Sequence, residues 1–475
     1  MPLVVGVDSS TTGCKVQVRD AESGKVVASG RAPHPVTSPP CSEQHPSAWE
    51  AAFVAACTQA GVPAKHLPAA VAIGAQQHGL VVLGDRGEVL RPAKLWNDTE
   101  SERDTVDLLA ALPGGAAGWA EACGSVPVPS FTITKLRWLR RREPDVFRRV
   151  AAAMLPHDWL TFRLTGRQTT DRGDASGTGY WSPSESRYRF DLLDLVDSTV
   201  EWESALPEVL APDAVAGEWL ATGAMVAPGT GDNMAGALGL GITPADLVLS
   251  LGTSGTAYTV SSHPSADPTG AVAGFADATG RYLPLVCTMN ATRVTDAVAR
   301  LLGTPRDRFD ELALASPPGA AGMVLVPHLD GERTPNRPGA TGTLTGLRAD
   351  VKPEQLARAA VEGVVCNLLA GADGLCATTG SDTGRVFLVG GAARSRAYRR
   401  VVADLTGRPV VVPSDGELVA CGAALQAAAI HLGCGFAELA QAWGSGCGEI
   451  VDPDESVDRD GIRAAYAAAV AGTPL

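Results

Sequence analysis

The sequence predicts an α/β protein of two domains, and three observations support this prediction. The chain has 475 residues, which is more than one hydrophobic core usually accommodates. Short apolar runs typical of buried strands precede helical patterns in both halves of the chain. One such run, together with the turn that follows it, occurs twice about half a chain apart.

The repeated segment is a strand followed by a turn of small and hydroxylated residues. In the first copy, residues 4–7 lead into DSSTTG at 8–13, and in the second, residues 247–249 lead into SLGTSGT at 250–256. Such turns bring backbone N–H groups and hydroxyls close to an anion, as a polyphosphate requires. Either copy alone is more simply a hairpin turn, but the repetition favours two phosphate loops around a nucleotide.

The N-terminal half begins with hairpin-like strands. Strands are predicted at 3–7, 14–19 and 25–30, with turns at 22–24 and 84–87. A helix is predicted over 47–60 with Ser47 as its N-cap. A strand at 70–75 follows, and residues 80–83 are expected to continue the same sheet. Residues 100–225 are predicted to be mainly helices and loops, and 185–225 carry no motif that we interpret.

The pattern begins again after Gly229. A Gly/Ala-rich segment at 232–241 precedes the second loop, and a strand at 386–389, a turn at 390–393 and a helix at 394–407 come later. A final strand is predicted at 409–412, before an Ala-rich helix at 418–429. A glycine turn between strand and helix suits a nucleotide, because the helix N-terminus faces what lies above the turn. The sequence contains neither a P-loop motif nor a dinucleotide-binding G-x-G-x-x-G motif.

Composition excludes several other classes. The hydrophobic fraction of 45%, with 19% charged residues, is typical of a packed soluble protein, and the net charge of −13 argues against a nucleic-acid partner. The arginine cluster at 137–149 is interpreted as the solvated face of a helix. The ten cysteines form no C-x-x-C pair and are expected to be small buried hydrophobes. With no run of about 18 apolar residues and no signal-like start, we expect no membrane span and a cytoplasmic protein.

A nucleotide site needs metal and phosphate ligands. Asp8, at the end of a predicted buried strand, can hold Mg²⁺ directly or through water. Contacts to phosphate oxygens are expected from the side chains of Lys15, Thr11, Thr12 and Thr253. The alternative for Asp8 is that it caps its own turn.

Phosphoryl transfer to an alcohol also needs a base near the acceptor hydroxyl. Asp232 lies in a glycine-rich setting just before the second loop and can accept that proton. It can equally serve as the N-cap of a helix that starts near Asn233. Such structural roles are the commoner ones for each acid alone. The two acids flank the two copies of the loop, however, and this favours the catalytic interpretation.

The acceptor side of the site is predicted to be polar without strong charge. The segments Gln77-His78 and Trp96-Asn97-Asp98 each follow a strand and offer hydrogen-bonding groups and an aromatic face. Such a mixture suits a polyhydroxylated carbon chain. Three further histidines are expected to be structural or loop residues, namely His34, His45 and His328.

Taken together, these residues resemble the FGGY family of carbohydrate kinases over nearly the whole chain. The matching segments are DSSTTG at 8–13, SEQHP at 42–46, QHG at 77–79, LWND at 95–98, KLRWL at 135–139, DASGT at 174–178, GDN at 231–233, SLGTSG at 250–255, GERTP at 331–335, G-x-L-x-GL at 342–347 and GGAARS at 390–395. Each segment is weak evidence alone, but their number and order are specific.

The resemblance implies two actin-like ATPase domains of ribonuclease-H type that close around a central cleft. Residues 1–241 would form the domain with the sugar pocket and first phosphate loop, and 242–475 the domain with the second loop and the adenine side. It further implies ATP and Mg²⁺, with D-xylulose phosphorylated at its C5 hydroxyl, and it allows a homodimer.

Roles of individual residues follow from the same resemblance. Asp232 would be the general base, and Asp8 would support Mg²⁺-ATP. The sugar pocket would be lined by Gln77, His78, Trp96 and Asp232, with Asn233 beside it. ATP would be contacted by Thr12, Gly252, Thr253, Gly391, Ala392 and Ser395. The loop at 332–334 has no assigned chemical role.

Three positions depart from the family pattern. Ser10 and Ala392 stand where the family usually has glycine, and Gln77 stands where D-xylulose kinases commonly have methionine. Two alternatives therefore stay open. One is a kinase for another sugar or polyol, such as ribulose, gluconate or glycerol. The other is a catalytically silent actin-like sensor, in which loss of Asp8 or Asp232 would be expected.

Overall fold

The structure is a computed structural model that describes residues 2–379 and 383–473. The chain folds into two compact units. The first comprises Met1–Gly241, Ser262–Leu283 and Glu417–Ser445, and the second comprises Ile242–Ser261, Pro284–Gly416 and Gly446–Leu475.

The strands, in chain order, are β1 (Leu3–Ser9), β2 (Gly13–Asp20), β3 (Val26–Pro33), β4 (Glu43–Gln44), β5 (Ala70–Ala75), β6 (Val81–Leu83), β7 (Ala93–Lys94), β8 (Ala152–Met154), β9 (Thr169–Asp171), β10 (Trp181–Ser182), β11 (Arg187–Tyr188), β12 (Glu208–Leu210), β13 (Gly217–Glu218), β14 (Met225–Val226), β15 (Thr230–Gly231), β16 (Leu247–Leu251), β17 (Gly255–Tyr258), β18 (Val272–Ala276), β19 (Tyr282–Thr288), β20 (Val324–Val326), β21 (Thr343–Thr345), β22 (Val386–Val389), β23 (Val410–Pro413) and β24 (Gly448–Val451).

The α-helices are α1 (Pro46–Ala60), α2 (Glu102–Ala111), α3 (Gly115–Cys123), α4 (Thr132–Arg142), α5 (Pro144–Phe147), α6 (Pro156–Thr165), α7 (Arg172–Ala175), α8 (Phe190–Asp197), α9 (Trp202–Ala205), α10 (Asp232–Leu240), α11 (Thr292–Leu301), α12 (Arg306–Ala315), α13 (Pro353–Thr379), α14 (Arg396–Thr406), α15 (Leu418–Leu432), α16 (Phe436–Ala442) and α17 (Arg459–Ala471).

The main sheet of the first unit brings the ends of three parallel strands together. β1 pairs with β2 antiparallel and with β5 parallel, and β15 pairs with β5 on the other side. The register sets both Asp8 and Thr230 beside Gly74. Because carboxyl ends of parallel strands meet at one sheet edge, the residues that follow them converge there. Gln77 and Asp232 therefore reach the same edge as Asp8.

Close packing against helices holds this sheet in place. A Cβ atom on Gly6 of β1 would overlap the carbonyl oxygen of Ala420 in α15, so only glycine fits there. In the same way, α15 approaches α10 through Gly422, which lies against the backbone of Ala235. Helix α10, which begins with Asp232, is therefore packed directly on the helix that covers β1.

The second unit has a sheet of the same kind. β16 pairs with β17 antiparallel and with β22 parallel, β22 pairs with β23 parallel, and β24 closes the edge antiparallel to β23. Helix α13 is long and apolar enough to span a membrane, but 72% of its most apolar stretch is buried inside the protein. This burial is typical of a core helix. Helices α15 and α16 together are also apolar enough for a membrane span, but the pair is bent by 114°.

The structure corrects several local predictions. The N-cap of α1 is His45, whose side chain accepts from Ser47, because Pro46 occupies the first helical turn. Residues 81–83 do not continue the main sheet but pair with β8 in a small separate sheet. Helix α10 starts at Asp232 itself, with Gly231 as N-cap. Helix α14 starts at Arg396 after a short 3₁₀ turn.

The C-terminal end also differs from prediction. The strand at 409–412 is predicted to be the last strand of the chain. In the structure a further strand, β24 (Gly448–Val451), follows it and pairs with β23. The arginine cluster spans two helices, since α4 ends at Arg142 and α5 begins at Pro144. Burial of Cys57, Cys366 and Cys421 confirms the expectation for those cysteines, but Cys41 and Cys447 are exposed, so the expectation of burial is wrong for these two.

Candidate active site

Asp8 is a buried carboxylate beside a partly exposed lysine. Asp8 is 5% exposed, and its Oδ2 lies 3.6 Å from the Nζ of Lys15. Lys15 also donates to Glu417 at 2.6 Å. Burial raises the pKa of Asp8 to about 6, against the opposing charge of Lys15. Glu417 was not predicted, because it lies 402 residues after Lys15 in the sequence and belongs to no motif.

The second oxygen of Asp8 suits a metal ligand. Its Oδ1 is buried and has no hydrogen-bond partner among the residues that the structure describes. An unpaired carboxylate oxygen is the kind of ligand that Mg²⁺, or one of its waters, takes in proteins. The residues present therefore fit the predicted magnesium.

Asp232 is the first residue of helix α10, and hydrogen bonds to one of its carboxylate oxygens hold its side chain. Its Oδ1 accepts from the backbone N–H of Asn233 at 2.8 Å and from the Asn233 Nδ2 at 3.0 Å. Removal from water, together with the smaller effect of the Asp8 charge, raises the pKa of Asp232 to about 7. Such a carboxylate is suited to accept a proton near neutral pH.

Gln77 and Asn233 form a connected polar pair at the same sheet edge. The Nδ2 of Asn233 also donates to the Oε1 of Gln77 at 3.0 Å. Gln77 is 4% exposed, and its Nε2 is buried with no hydrogen-bond partner in the described parts of the chain. A buried unpaired donor costs free energy unless a ligand accepts from it. Gln77 therefore marks a polar ligand position beside Asp232.

His78 is held in a fixed tautomer and orientation. Its backbone has φ of 65°, an uncommon value for a residue other than glycine. Its Nδ1 donates to the carbonyl oxygen of Gly177 at 2.7 Å, and a carbonyl can only accept. The ring stacks on Phe131 with centroids 4.9 Å apart. Phe275 also lies close to the ring, with centroids 5.7 Å apart.

Trp96 is anchored to the first phosphate loop. Its indole Nε1 donates to the Oγ1 of Thr11 at 2.8 Å, and Thr11 donates to the Oε1 of Gln76 at 3.2 Å. The ring itself is 40% exposed, which leaves an aromatic face for a ligand. Gln76, whose side chain accepts from Thr11, carries no sequence signal for this role.

The remaining loop residues occupy the tips of the two strand turns. Thr12 is exposed between β1 and β2, and its carbonyl oxygen accepts from the backbone of His34. In the second unit, the backbone oxygens of Gly252 and Thr253 accept from the start of α11. The Thr253 side chain is exposed.

A pocket of about 640 Å³ lies in the second unit beside the glycine turn. It is lined by residues that include Gly391, Ala392, Ser395, Thr295, Phe309 and Tyr398. Ser395 is the N-cap of α14 and donates to Asp310 at 2.6 Å. The aromatic lining and the polar rim suit a planar base. Four other lining residues, on α11, α12 and α14, belong to no nucleotide motif and were not predicted, namely Thr295, Phe309, Asp310 and Tyr398.

The comparisons with known proteins agree with these observations. Residues 3–239 match the model of the FGGY family of carbohydrate kinases, N-terminal domain, and residues 247–430 match that family's C-terminal domain. The chain is 48% identical to a xylulose kinase from Streptomyces coelicolor and to one from Streptomyces rubiginosus. Each of these two matches spans 466 residues, 97% of this chain and 94% of the relative.

A solved structure is similar over the full length. The crystal structure of a xylulose kinase from Bifidobacterium adolescentis has a TM-score of 0.86 and 39% identity, with 99% of both chains covered.

Proposed function

Since the chain belongs to the FGGY family of carbohydrate kinases, we propose that it phosphorylates D-xylulose with ATP to form D-xylulose 5-phosphate. Identity of 48% to two xylulose kinases over nearly the whole chain supports this substrate. The observation that carries the proposed chemistry is Asp232, a carboxylate with its pKa raised to about 7 beside an unpaired buried donor.

In the proposed reaction, Asp232 accepts the proton of the attacking sugar hydroxyl. Its Oδ1 is occupied by the N–H groups of Asn233, which fix the direction of the carboxylate. The proton leaves the hydroxyl as the oxygen attacks the γ-phosphorus, and the bond to the ADP oxygen breaks. General-base assistance of this kind typically contributes about 10²–10⁴-fold in rate.

The sugar is proposed to bind at the edge formed by β1, β5 and β15. The Nε2 of Gln77 would donate to a sugar oxygen, and the exposed face of Trp96 would cover the C–H surface of the sugar. His78 would add a hydrogen-bonding group, since its ring is held by Gly177 and Phe131. Each sugar hydroxyl needs such a partner once water is excluded.

Asp8 is the proposed ligand of Mg²⁺, directly or through water. When bound, Mg²⁺ neutralises charge on the phosphate oxygens. Lys15 and the hydroxyls of Thr11 and Thr12 are proposed to contact ATP from the same loop. Lys15, whose Nζ lies 3.6 Å from Asp8, places a positive charge near them.

The second unit is proposed to hold the rest of ATP. Gly252 and Thr253 would approach the phosphates through their loop, and Gly391, Ala392 and Ser395 line the pocket proposed for the adenine. We propose residues 1–241 as the sugar-side domain and 242–475 as the nucleotide-side domain, with Ser262–Leu283 and Glu417–Ser445 of the latter packed within the first unit. A cytoplasmic location is proposed, where ATP is available.

The test is a coupled ADP-release assay with ATP, Mg²⁺ and a panel of sugars and polyols. We expect D-xylulose to give the highest kcat/KM, and Asp232→Asn to lower kcat by about 10²–10⁴-fold. A matched control is Asp460→Asn, which changes an acid in the first turn of another helix. This control is expected to keep full activity.

Two results would contradict the proposal in different ways. A higher kcat/KM for ribulose, gluconate or glycerol would overturn the substrate but leave the base and the fold unchanged. ATP turnover that no sugar increases would overturn the kinase assignment itself. Gln77 makes the panel necessary, because it replaces the methionine common in D-xylulose kinases.

A further inference from the structure

A buried network of one histidine and three aspartates lies in the first unit behind the candidate active site. The Nδ1 of His157 lies 2.7 Å from the Oδ2 of Asp174 and 3.2 Å from the Oδ1 of Asp158. Its Nε2 lies 3.8 Å from the Oδ1 of Asp171. All four residues are at most 2% exposed. None of them is required by the phosphoryl transfer described above.

His157 compensates part of the negative charge of the network. Burial alone lowers the pKa of His157, but the charge of Asp158 and the hydrogen bond to Asp174 outweigh it and raise the pKa to about 10. The imidazolium is thus retained, while burial also raises the pKa of each of the three aspartates, that of Asp174 to about 7. Buried charges persist when they are paired and hydrogen-bonded, and the contact of 2.7 Å between His157 and Asp174 holds these two side chains in one geometry.

Asp171 links this network to the strand that carries the proposed base. Its Oδ2 accepts from the Oγ1 of Thr230 at 2.7 Å. Thr230 and Gly231 form β15, whose register on β5 is Thr230 beside Gly74 and Gly231 beside Ala75. Asp232 is the next residue. A two-residue strand has few ladder hydrogen bonds, and the Thr230 hydroxyl adds a side-chain tie immediately before the base.

Asp171 also determines the position of the segment that holds His78. Its two carboxylate oxygens accept from the backbone N–H groups of Gly173 and Asp174, and this caps α7. Helix α7 has only four residues, too few to be stable without a cap. The turn that follows α7 ends at Gly177, whose carbonyl oxygen accepts from His78.

From these contacts we infer that Asp171, which accepts from the backbone N–H of Asp174 and lies 3.8 Å from the Nε2 of His157, is a positioning residue for both Asp232 and His78. This inference rests on the proposed function, because it concerns the placement of the base and the sugar pocket of that reaction. Asp171 does not contact the reacting atoms. It acts through the Thr230 hydroxyl on one side and through helix α7 on the other.

The test removes the Thr230 hydroxyl and leaves the charged network intact. Thr230→Val is nearly isosteric and loses only the bond to Asp171, whereas Thr230→Ser keeps it. Thr230→Ala removes the same hydroxyl with less bulk and serves where the valine variant does not fold. The matched control is Thr259→Val, since Thr259 is equally buried and donates to the Asp246 carbonyl oxygen at 2.6 Å.

Two readouts are measured on each folded variant, steady-state kinetics and hydrogen–deuterium exchange of the peptide spanning residues 228–234. For Thr230→Val we expect kcat to fall at least tenfold, the KM for ATP to stay within twofold, and exchange in 228–234 to become at least tenfold faster. Thr230→Ser and Thr259→Val are expected to match the wild type in all three quantities.

The inference is overturned if exchange in 228–234 is unchanged in Thr230→Val, or if kcat falls equally in Thr259→Val. It is also overturned if Thr230→Ser does not restore the wild-type values. The exchange readout needs no substrate. If the wild-type enzyme shows no D-xylulose-dependent turnover, the proposed function fails while the exchange data still decide whether Asp171 and Thr230 position residue 232.

Discussion

At the scale of single residues, the protonation of Asp232 governs when the proposed base is available. Its pKa is raised to about 7 because the carboxylate is removed from water and lies close to Asp8. Raised acid pKa values favour the protonated form, which cannot accept a proton. The base is therefore lost as the pH falls through 7.

This predicts a pH dependence with a defined sign. We expect kcat/KM for the sugar to rise about tenfold per pH unit below pH 7 and to level off above it, since a single deprotonation activates the base. The profile is measured from pH 5.5 to 8.5 with saturating ATP. A constant value between pH 5.5 and 7 would contradict the raised pKa of Asp232.

Trp96 supports a second prediction at this scale. Replacing it in Trp96→Phe keeps an aromatic face but removes the hydrogen bond to Thr11. A lost hydrogen bond costs about 1 kcal/mol, so we expect the KM for the sugar to rise about fivefold. The control is Trp443→Phe, which loses an indole hydrogen bond to Ala21 elsewhere in the first unit. An equal rise in both variants would show that Trp96 has no specific role.

At the scale of elements, helices α10 and α15 pack at unusually close range. Gly422 of α15 lies against the backbone of Ala235, and Gly239 of α10 lies against the carbonyl oxygen of Leu418. Glycine lowers helix propensity, so its presence in both helix interiors needs a packing reason. That reason is the approach that places the start of α10, and hence Asp232, against the main sheet.

We therefore expect opposite effects from two Gly→Ala substitutions in helices. Gly422→Ala should lower the free energy of unfolding by about 1–3 kcal/mol, because the methyl group would overlap the Ala235 carbonyl. Gly374→Ala should raise it by about 0.5–1 kcal/mol, since nothing lies within 4 Å of its Cβ position. Urea denaturation measures both. Stabilisation by Gly422→Ala would contradict the close packing.

At the scale of the whole molecule, the chain passes repeatedly between the two units. The segments Ser262–Leu283 and Glu417–Ser445 belong to the first unit, although most of the chain around them belongs to the second. Glu417 and helix α15 reach the first phosphate loop and β1 in this way. A substrate that binds one unit should therefore protect segments distant in sequence.

Hydrogen–deuterium exchange with separate ligands tests this division. D-xylulose alone is expected to protect peptides containing residues 77–78 and 232–233, and Mg²⁺-ADP to protect those containing 252–253 and 391–395. Each ligand should slow exchange because bound backbone groups open less often. Protection of 391–395 by the sugar alone would contradict the assignment of the nucleotide to the second unit.

Much of the fold was predictable from local patterns. The strand at 70–75 and the strand at 386–389 have the predicted bounds, and the two-domain α/β fold is confirmed. Buried apolar runs identify such strands because their side chains are removed from water on both faces. Strand β24 was missed, since exposed residues at 448–450 lack that pattern.

The site was predictable only in part, because several of its contacts join residues that are far apart in the sequence. Asp8 and Asp232 follow recognisable strands, and the parallel register of β1, β5 and β15 brings them to one edge. By contrast, the partners of Thr11 and Ser395, which are Gln76 and Asp310, carry no sequence signal. A side-chain hydrogen bond between residues 65 or 85 positions apart leaves no local pattern.

The sequence by itself determined the α/β class and, through its motifs, the resemblance to a kinase family, and it predicted two phosphate loops with an acid beside each. These are properties of short segments, in which residue type and spacing already limit the backbone and the chemistry. Only the tertiary structure decided which groups are unpaired, which carboxylates have raised pKa values, and that His157 and Asp171 stand behind the base. Burial and hydrogen bonding depend on neighbours that folding brings from distant positions, so no local pattern contains them.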